Sequence, residues 1–162
     1  MIRKRIVLLS LVTIFLIIAS VSATTKQEYY DNTPFPVYGS WDSGSEEAEE
    51  AYHGGTYKLE LIFQMNSIPQ DGDDYKIEID YDGCTPGGHG AETLIAQYRW
   101  GTSGSWITID TFYYAKHQVY DINDPTSTTI QILFLDQNRW WWDSQHTWDF
   151  GFEPILQVYW ND

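Results

Sequence analysis

The stretch Thr56-Tyr57-Lys58-Leu59-Glu60-Leu61-Ile62-Phe63-Gln64-Met65 decides the fold. Side chains of an extended chain alternate between two faces, so Tyr57, Leu59, Leu61, Phe63 and Met65 fall on one side while Lys58, Glu60 and Gln64 fall on the other. A segment patterned in this way buries one face and wets the other. The alternation returns at Tyr75, Ile77, Ile79 and Tyr81 against Lys76, Glu78 and Asp80, after the turn formers Pro69, Asp71, Gly72, Asp73 and Asp74. These two strands are expected to pair with each other.

Further along, 93–100 and 105–111 flank Gly101-Thr102-Ser103-Gly104, a connection of the length that closes a β-hairpin. A weaker strand is expected over 117–122. The segment 128–135 alternates Ile130, Ile132 and Phe134 with Thr129, Gln131 and Leu133, and the apolar stretch 147–160 is interrupted by Gly151 and Pro154. Strands spaced roughly ten residues apart, with turns between them and almost no helical periodicity, predict an all-β fold: an antiparallel, jelly-roll-like β-sandwich of about eight strands.

Upstream of Thr56 the pattern changes. Asn32-Thr33-Pro34-Phe35-Pro36, the acidic run Glu46-Glu47-Ala48-Glu49-Glu50 and Gly54-Gly55 read as an extended arm with a solvated loop, in which only 35–41 resembles a strand. The chain opens with Arg3, Lys4 and Arg5, continues through an apolar run over 6–22, and reaches the small-residue triplet Val21-Ser22-Ala23. Those are the parts of a signal peptide, a helix that would precede the sandwich. An uncleaved anchor is the alternative, although the run falls short of the roughly 20 residues a spanning helix needs. The expected division is therefore 1–23 signal peptide or anchor, 24–55 arm and acidic loop, and 56–162 β-sandwich, with the protein secreted or displayed at the cell surface.

The formal charge is −14, and it becomes more negative if the basic residues of 1–23 are removed. Such a balance repels phosphate backbones and anionic lipid surfaces, which excludes nucleic acid and leaves membrane contact only through 1–23 if uncleaved. Disorder is excluded as well, because 17% of residues are aromatic and apolar side chains alternate along most of the chain. Cys84 is the single cysteine, so no intramolecular disulfide staples the domain. Cys84 either pairs between chains or is a spectator thiol.

Three segments in order carry a family resemblance: Tyr57-Lys58-Leu59-Glu60-Leu61, then 68–79 from Ile68-Pro69-Gln70 to Ile77-Glu78-Ile79, then Trp100-Gly101-Thr102-Ser103-Gly104-Ser105-Trp106-Ile107-Thr108-Ile109. Thr129 to Asp136, followed by Asp143-Ser144-Gln145-His146-Thr147-Trp148-Asp149-Phe150, stands where closing strands would. This arrangement resembles the galactose-binding-like and carbohydrate-binding β-sandwich modules of secreted and surface proteins. The resemblance implies a non-catalytic module of attachment or display, whose partner is a glycan or cell-surface polymer.

Arg139-Trp140-Trp141-Trp142-Asp143 is the most informative chemical feature. Sugar rings present apolar C–H faces that stack on indoles, while Asp and Arg hydrogen-bond the hydroxyls. In an extended chain Trp140 and Trp142 share a face opposite Trp141, so Arg139, Trp140, Trp142 and Asp143 are the candidate ligand-binding residues. Packing in the core or at a subunit interface is the competing reading. Trp41, Trp100, Trp106, Trp148 and Trp160 stand within strand patterns and are expected in the core.

Asp71, Asp73 and Asp74 have oxygen-rich spacing that suits a structural calcium, but without the distal Glu of an EF-hand, and a plain acidic turn is the alternative. No other cofactor is called for. No glycine-framed serine, nucleophile beside a base or convincing carboxylate pair marks an enzyme. Two other functions stay open: a structural subunit of an extracellular filament or surface layer, self-associating as the arm adds a strand to a neighbour, and a small secreted glycan hydrolase.

Overall fold

The computed structural model describes residues 24–31, 33–85, 93–136 and 145–161. The expected signal helix lies outside them, as do Arg139, Trp140, Trp142 and Asp143. Among the described residues thirteen strands follow one another: β1 Thr24–Tyr29, β2 Phe35–Tyr38, β3 Ser40–Asp42, β4 Glu47–Glu49, β5 Ala51–His53, β6 Thr56–Lys58, β7 Glu60–Met65, β8 Asp74–Thr85, β9 Leu94–Trp100, β10 Ile107–Phe112, β11 Lys116–Asp121, β12 Ile130–Asp136 and β13 Thr147–Asn161. The first sheet runs β11-β8-β13-β4-β3, with β1 also paired to β13. The second runs β10-β9-β12-β7-β2, and β5-β6 forms a separate hairpin. Every pairing is antiparallel.

The all-β antiparallel sandwich agrees with the sequence, while the strand count exceeds the expected eight. The surplus comes from 24–55. That segment contributes β1 to β5, and β1 pairs with β13 over its whole length, from Thr24 opposite Asn161 to Tyr29 opposite Leu156. Side-chain patterning could not reveal β1, because all but its last residue are exposed; its backbone ladder to β13 holds it, with Tyr29 at its end packed against the core. The acidic run is also structural: Ala48 and Glu50 point inward and are buried, and β4 lies between β3 and β13. A period of two is hidden there beneath a uniform charge.

The expected pairing of 57–65 with 75–81 is not observed. β7 lies between β12 and β2 in the second sheet, whereas β8 lies between β13 and β11 in the first. The connection 66–73 crosses from one sheet to the other, with Ile68 buried and its N–H donating to the Thr128 carbonyl at 2.8 Å. Alternation tells which face a strand buries, and both strands do bury one face. It does not tell which neighbour supplies the backbone bonds.

Aromatic rings interlock within and between the sheets. Phe63 and Phe134 of the second sheet meet edge-to-face at 5.9 Å, Phe134 meets Phe150 of the first at 5.0 Å, and Trp41 meets both Phe63 at 5.1 Å and Phe150 at 5.6 Å. Tyr81 packs on Phe112 at 5.4 Å, and Tyr75 on Trp100 at 5.8 Å. Edge-to-face pairs add about 0.5–1.5 kcal/mol each beyond the burial of their area. Gly39 makes the β2-β3 corner, where the chain passes close to Glu49 and Leu59. Its φ is +96°, and a Cβ placed there would stand 2.5 Å from the Glu49 carbonyl oxygen and 2.9 Å from Leu59. Gly39→Ala therefore meets both a backbone atom and a disfavoured conformation, and should cost on the order of 1–3 kcal/mol. The expected result is a melting temperature several degrees lower in a thermal scan followed by circular dichroism.

The outer face of the first sheet gathers acids. Desolvation raises the carboxyl pKa of Glu46, reinforced by Glu153 and Asp42, and raises that of Asp149, reinforced by Glu47 and Asp82. Ionised, these groups weaken the native state, and the penalty fades as pH falls through their folded values. His117 is raised chiefly by its hydrogen bond to Glu78, at 2.6 Å, and it adds stability below its unfolded value that is lost as pH rises through the folded one. Both contributions have the same sign, so the melting temperature should be higher near pH 5.5, about one unit below the ordinary histidine value, than near pH 8. A scan across that interval checks it.

Candidate functional site

Five connections between the sheets leave from one end of the sandwich. Strand registers place the ends of β2, β4, β8, β10 and β12 there, together with the starts of β3, β7, β9, β11 and β13. Residues 137–144, which contain Arg139, Trp140, Trp142 and Asp143, connect β12 to β13 at this end. Those four side chains lie outside the described residues, but both roots of their loop are described.

Buried polar groups hold both roots. Asp136 closes β12, is buried, and donates its N–H to the Leu59 carbonyl at 3.2 Å. At the return, the Glu50 carboxylate accepts the His146 backbone N–H at 2.9 Å and stands 3.3 Å from the His146 ring nitrogen Nδ1. The Glu50 N–H donates to the His146 carbonyl at 3.1 Å, and the Gln145 side-chain amide donates to the Glu50 carbonyl at 2.9 Å. Glu50 and His146 are both almost fully buried. Within the acidic run, Glu50 is thus a clamp on the base of the tryptophan loop, something its sequence context conceals.

Exposed aromatic side chains stand at two edges of this end of the sandwich. Tyr113 and Tyr114 occupy the turn between β10 and β11, and Tyr114 is 80% exposed. At the opposite edge, the β5-β6 hairpin presents Tyr52. Sequence reasoning passed over all three, since an exposed tyrosine has no periodic signature.

The remaining tryptophans divide between core and surface. Trp148 is fully buried, and Trp41, Trp100 and Trp160 pack against the core as expected. The Trp100 indole N–H donates to the Asn123 carbonyl at 2.9 Å. Trp106 departs from expectation. It lies in the connection before β10, where the Arg99 guanidinium stacks over its ring at 4.1 Å. From Arg99 a polar row crosses the outer side of the second sheet: Arg99 donates twice to the Gln131 amide oxygen, at 2.9 and 2.7 Å, and the Gln131 amide donates to Gln64 at 2.7 Å. Gln131 is only 3% exposed and its amide is engaged on both sides, so the row acts as a cross-strand brace.

Asp71, Asp73 and Asp74 lie at the other end of the sandwich. Asp73 accepts the Asn161 N–H at 2.7 Å, Asp74 pairs with Lys76 at 2.7 Å, and Asp71 is exposed. Two of the three carboxylates thus serve different partners within the fold. Among the described residues no three His, Cys, Asp or Glu side chains converge as a metal-binding group.

Glu50→Ala removes the acceptor that holds the loop's return and leaves the His146 N–H buried beside a void. It should cost about 2–3 kcal/mol. Urea titration is expected to show that loss, with Glu50→Gln less affected because an amide oxygen can still accept the N–H.

No family model matches the sequence, and no curated protein matches it. A solved structure described as a non-crystalline cellulose specific carbohydrate-binding module, CBM28, is similar to this chain, with 16% sequence identity and a TM-score of 0.37, covering 70% of this chain and 72% of that one.

Proposed function

We propose that the protein is a non-catalytic binding module, secreted or held at the cell surface, which attaches to a glycan or surface polymer at the loop end of the sandwich. Arg139, Trp140, Trp142 and Asp143 are the contact residues of this reading. The observation that carries it is the fixed footing of their loop: Asp136 and His146 bind buried partners at its two roots, between the exposed Tyr52 on one side and Tyr113 and Tyr114 on the other. A preordered base reduces the entropy lost when a loop binds, and flat aromatic groups are the chemistry that retains a sugar ring.

The structural-subunit reading ranks lower because β1, the strand it would lend to a neighbour, already pairs within its own chain. The hydrolase reading would need a carboxylate pair that acts on a bound sugar. Asp143→Asn separates it from the module reading: an enzyme would bind and cease to release reducing ends, whereas a binding module releases none in either form.

The test is acrylamide quenching of tryptophan fluorescence on the full-length chain, with and without soluble polysaccharides. A glycan should protect a quenchable, red-shifted component, and Trp140→Ala or Trp142→Ala should remove that component and weaken retention in a polysaccharide gel about tenfold, a loss of about 1.4 kcal/mol. Blue-shifted, unquenched indoles at 140 and 142 would overturn the reading.

A further inference from the structure

The β5-β6 hairpin belongs to neither sheet, and its residues are arranged as a presented surface. Strand register pairs Ala51 with Lys58, Tyr52 with Tyr57 and His53 with Thr56. Side chains alternate across a ribbon, so Tyr52 and Tyr57 share one face while Ala51, His53, Thr56 and Lys58 share the other. The second face is the attached one. The His53 ring packs on Tyr38 of β2 at 4.7 Å between centroids, and the Lys58 ammonium lies over the same ring at 5.2 Å. Among the described residues, Lys26, Lys76 and Lys116 each pair with a carboxylate, whereas the Lys58 ammonium rests over the Tyr38 ring. In a chain of formal charge −14, that lysine serves to hold the hairpin down.

Its other face is free of that duty. Tyr52 and Tyr57 meet edge-to-face at 5.2 Å, and Tyr52 is 67% exposed. The turn between them is Gly54-Gly55, both with positive φ, at +63° and +94°, which is the backbone a tight two-residue hairpin demands. The ring pair is therefore ordered before any ligand arrives. The base of the hairpin is Glu50, whose carboxylate, N–H and carbonyl all bond to Gln145 or His146. Hairpin and tryptophan-loop root are thus one hydrogen-bonded unit.

We infer that the Tyr52-Tyr57 face of the β5-β6 hairpin is a contact surface for an uncharged pyranose polysaccharide. This rests on the binding-module reading above. The chemistry is stacking of sugar C–H faces on a rigid tyrosine ring, with the phenol hydroxyls free to bond sugar hydroxyls. The charge selects the ligand class. A net charge of −14 repels polyuronates and sulfated chains, strongly so at low ionic strength, and leaves neutral polymers unaffected.

The experiment is retention of the full-length chain in native gels containing a neutral β-glucan, mannan or xylan, or polygalacturonate, at low and physiological salt. Wild type should be retained by at least one neutral polymer and not by polygalacturonate. Tyr52→Ala should weaken that retention about tenfold and Tyr57→Ala severalfold, with melting temperatures close to wild type, while Tyr52→Phe stays within about twofold because it keeps the ring. Retention of both alanine variants at the wild-type level would overturn the inference and leave the module reading standing. Preferential binding of polygalacturonate would overturn the neutral class. Absence of retention by every polymer would defeat the module reading, and this inference with it.

Discussion

No disulfide staples the two sheets together; their packed apolar side chains do, with interlocked aromatic rings at the centre. With a single cysteine in the chain, the sandwich depends on contacts such as Trp41 against Phe63 and Phe134 against Phe150, which cross the interior and leave little room for one sheet to slide over the other. Edge-to-face geometry is directional, so this packing fixes the registration of the sheets as well as their separation. Where the sheets are registered, the ends of their strands are registered too. That is why the roots of five connections come together at one end, and why Asp136 and His146 can sit at fixed positions on opposite sheets.

The energetic weight of the domain lies in its centre and its chemistry at its end. β7, β8, β9, β12 and the second half of β13 carry most of the buried apolar side chains. The hairpin, the tyrosine turn and the tryptophan loop are built on that frame. Polar anchors make the connection: Glu50 ties the hairpin to the return of the loop, and the Arg99-Gln131-Gln64 row braces the outer side of the second sheet. Loss of an anchor should loosen the end of the sandwich at a cost in stability, while the aromatic interior stays folded.

How much of this could be read from the sequence depends on whether a residue declares itself by periodicity. The strands at 57–65, 75–81 and 128–135 did, because from Leu59, Tyr75 and Ile130 onward every second side chain is apolar and buried. Their pairing did not, since alternation gives a face without naming a neighbour, and β7 and β8 consequently belong to different sheets. β1 was illegible because its side chains, exposed in all but Tyr29, show no alternation, and its ladder to β13 is made by backbone. Glu50 was hidden in a run of like charges, and Tyr52 in a short glycine turn that reads as loop. The tryptophan run could be recognised by its chemistry, whereas the footing of its loop depends on Leu59 and Glu50, which are distant in sequence.

The central claim is that ligand is held at the loop end of the sandwich. Hydrogen–deuterium exchange of the full-length chain, with and without a saturating soluble neutral polysaccharide, tests it most directly. The account predicts new protection confined to 50–58 and 137–146, with the strands of both sheets unchanged. Protection along β9 and β12 around Arg99 and Gln131, with none at the loop end, would contradict it.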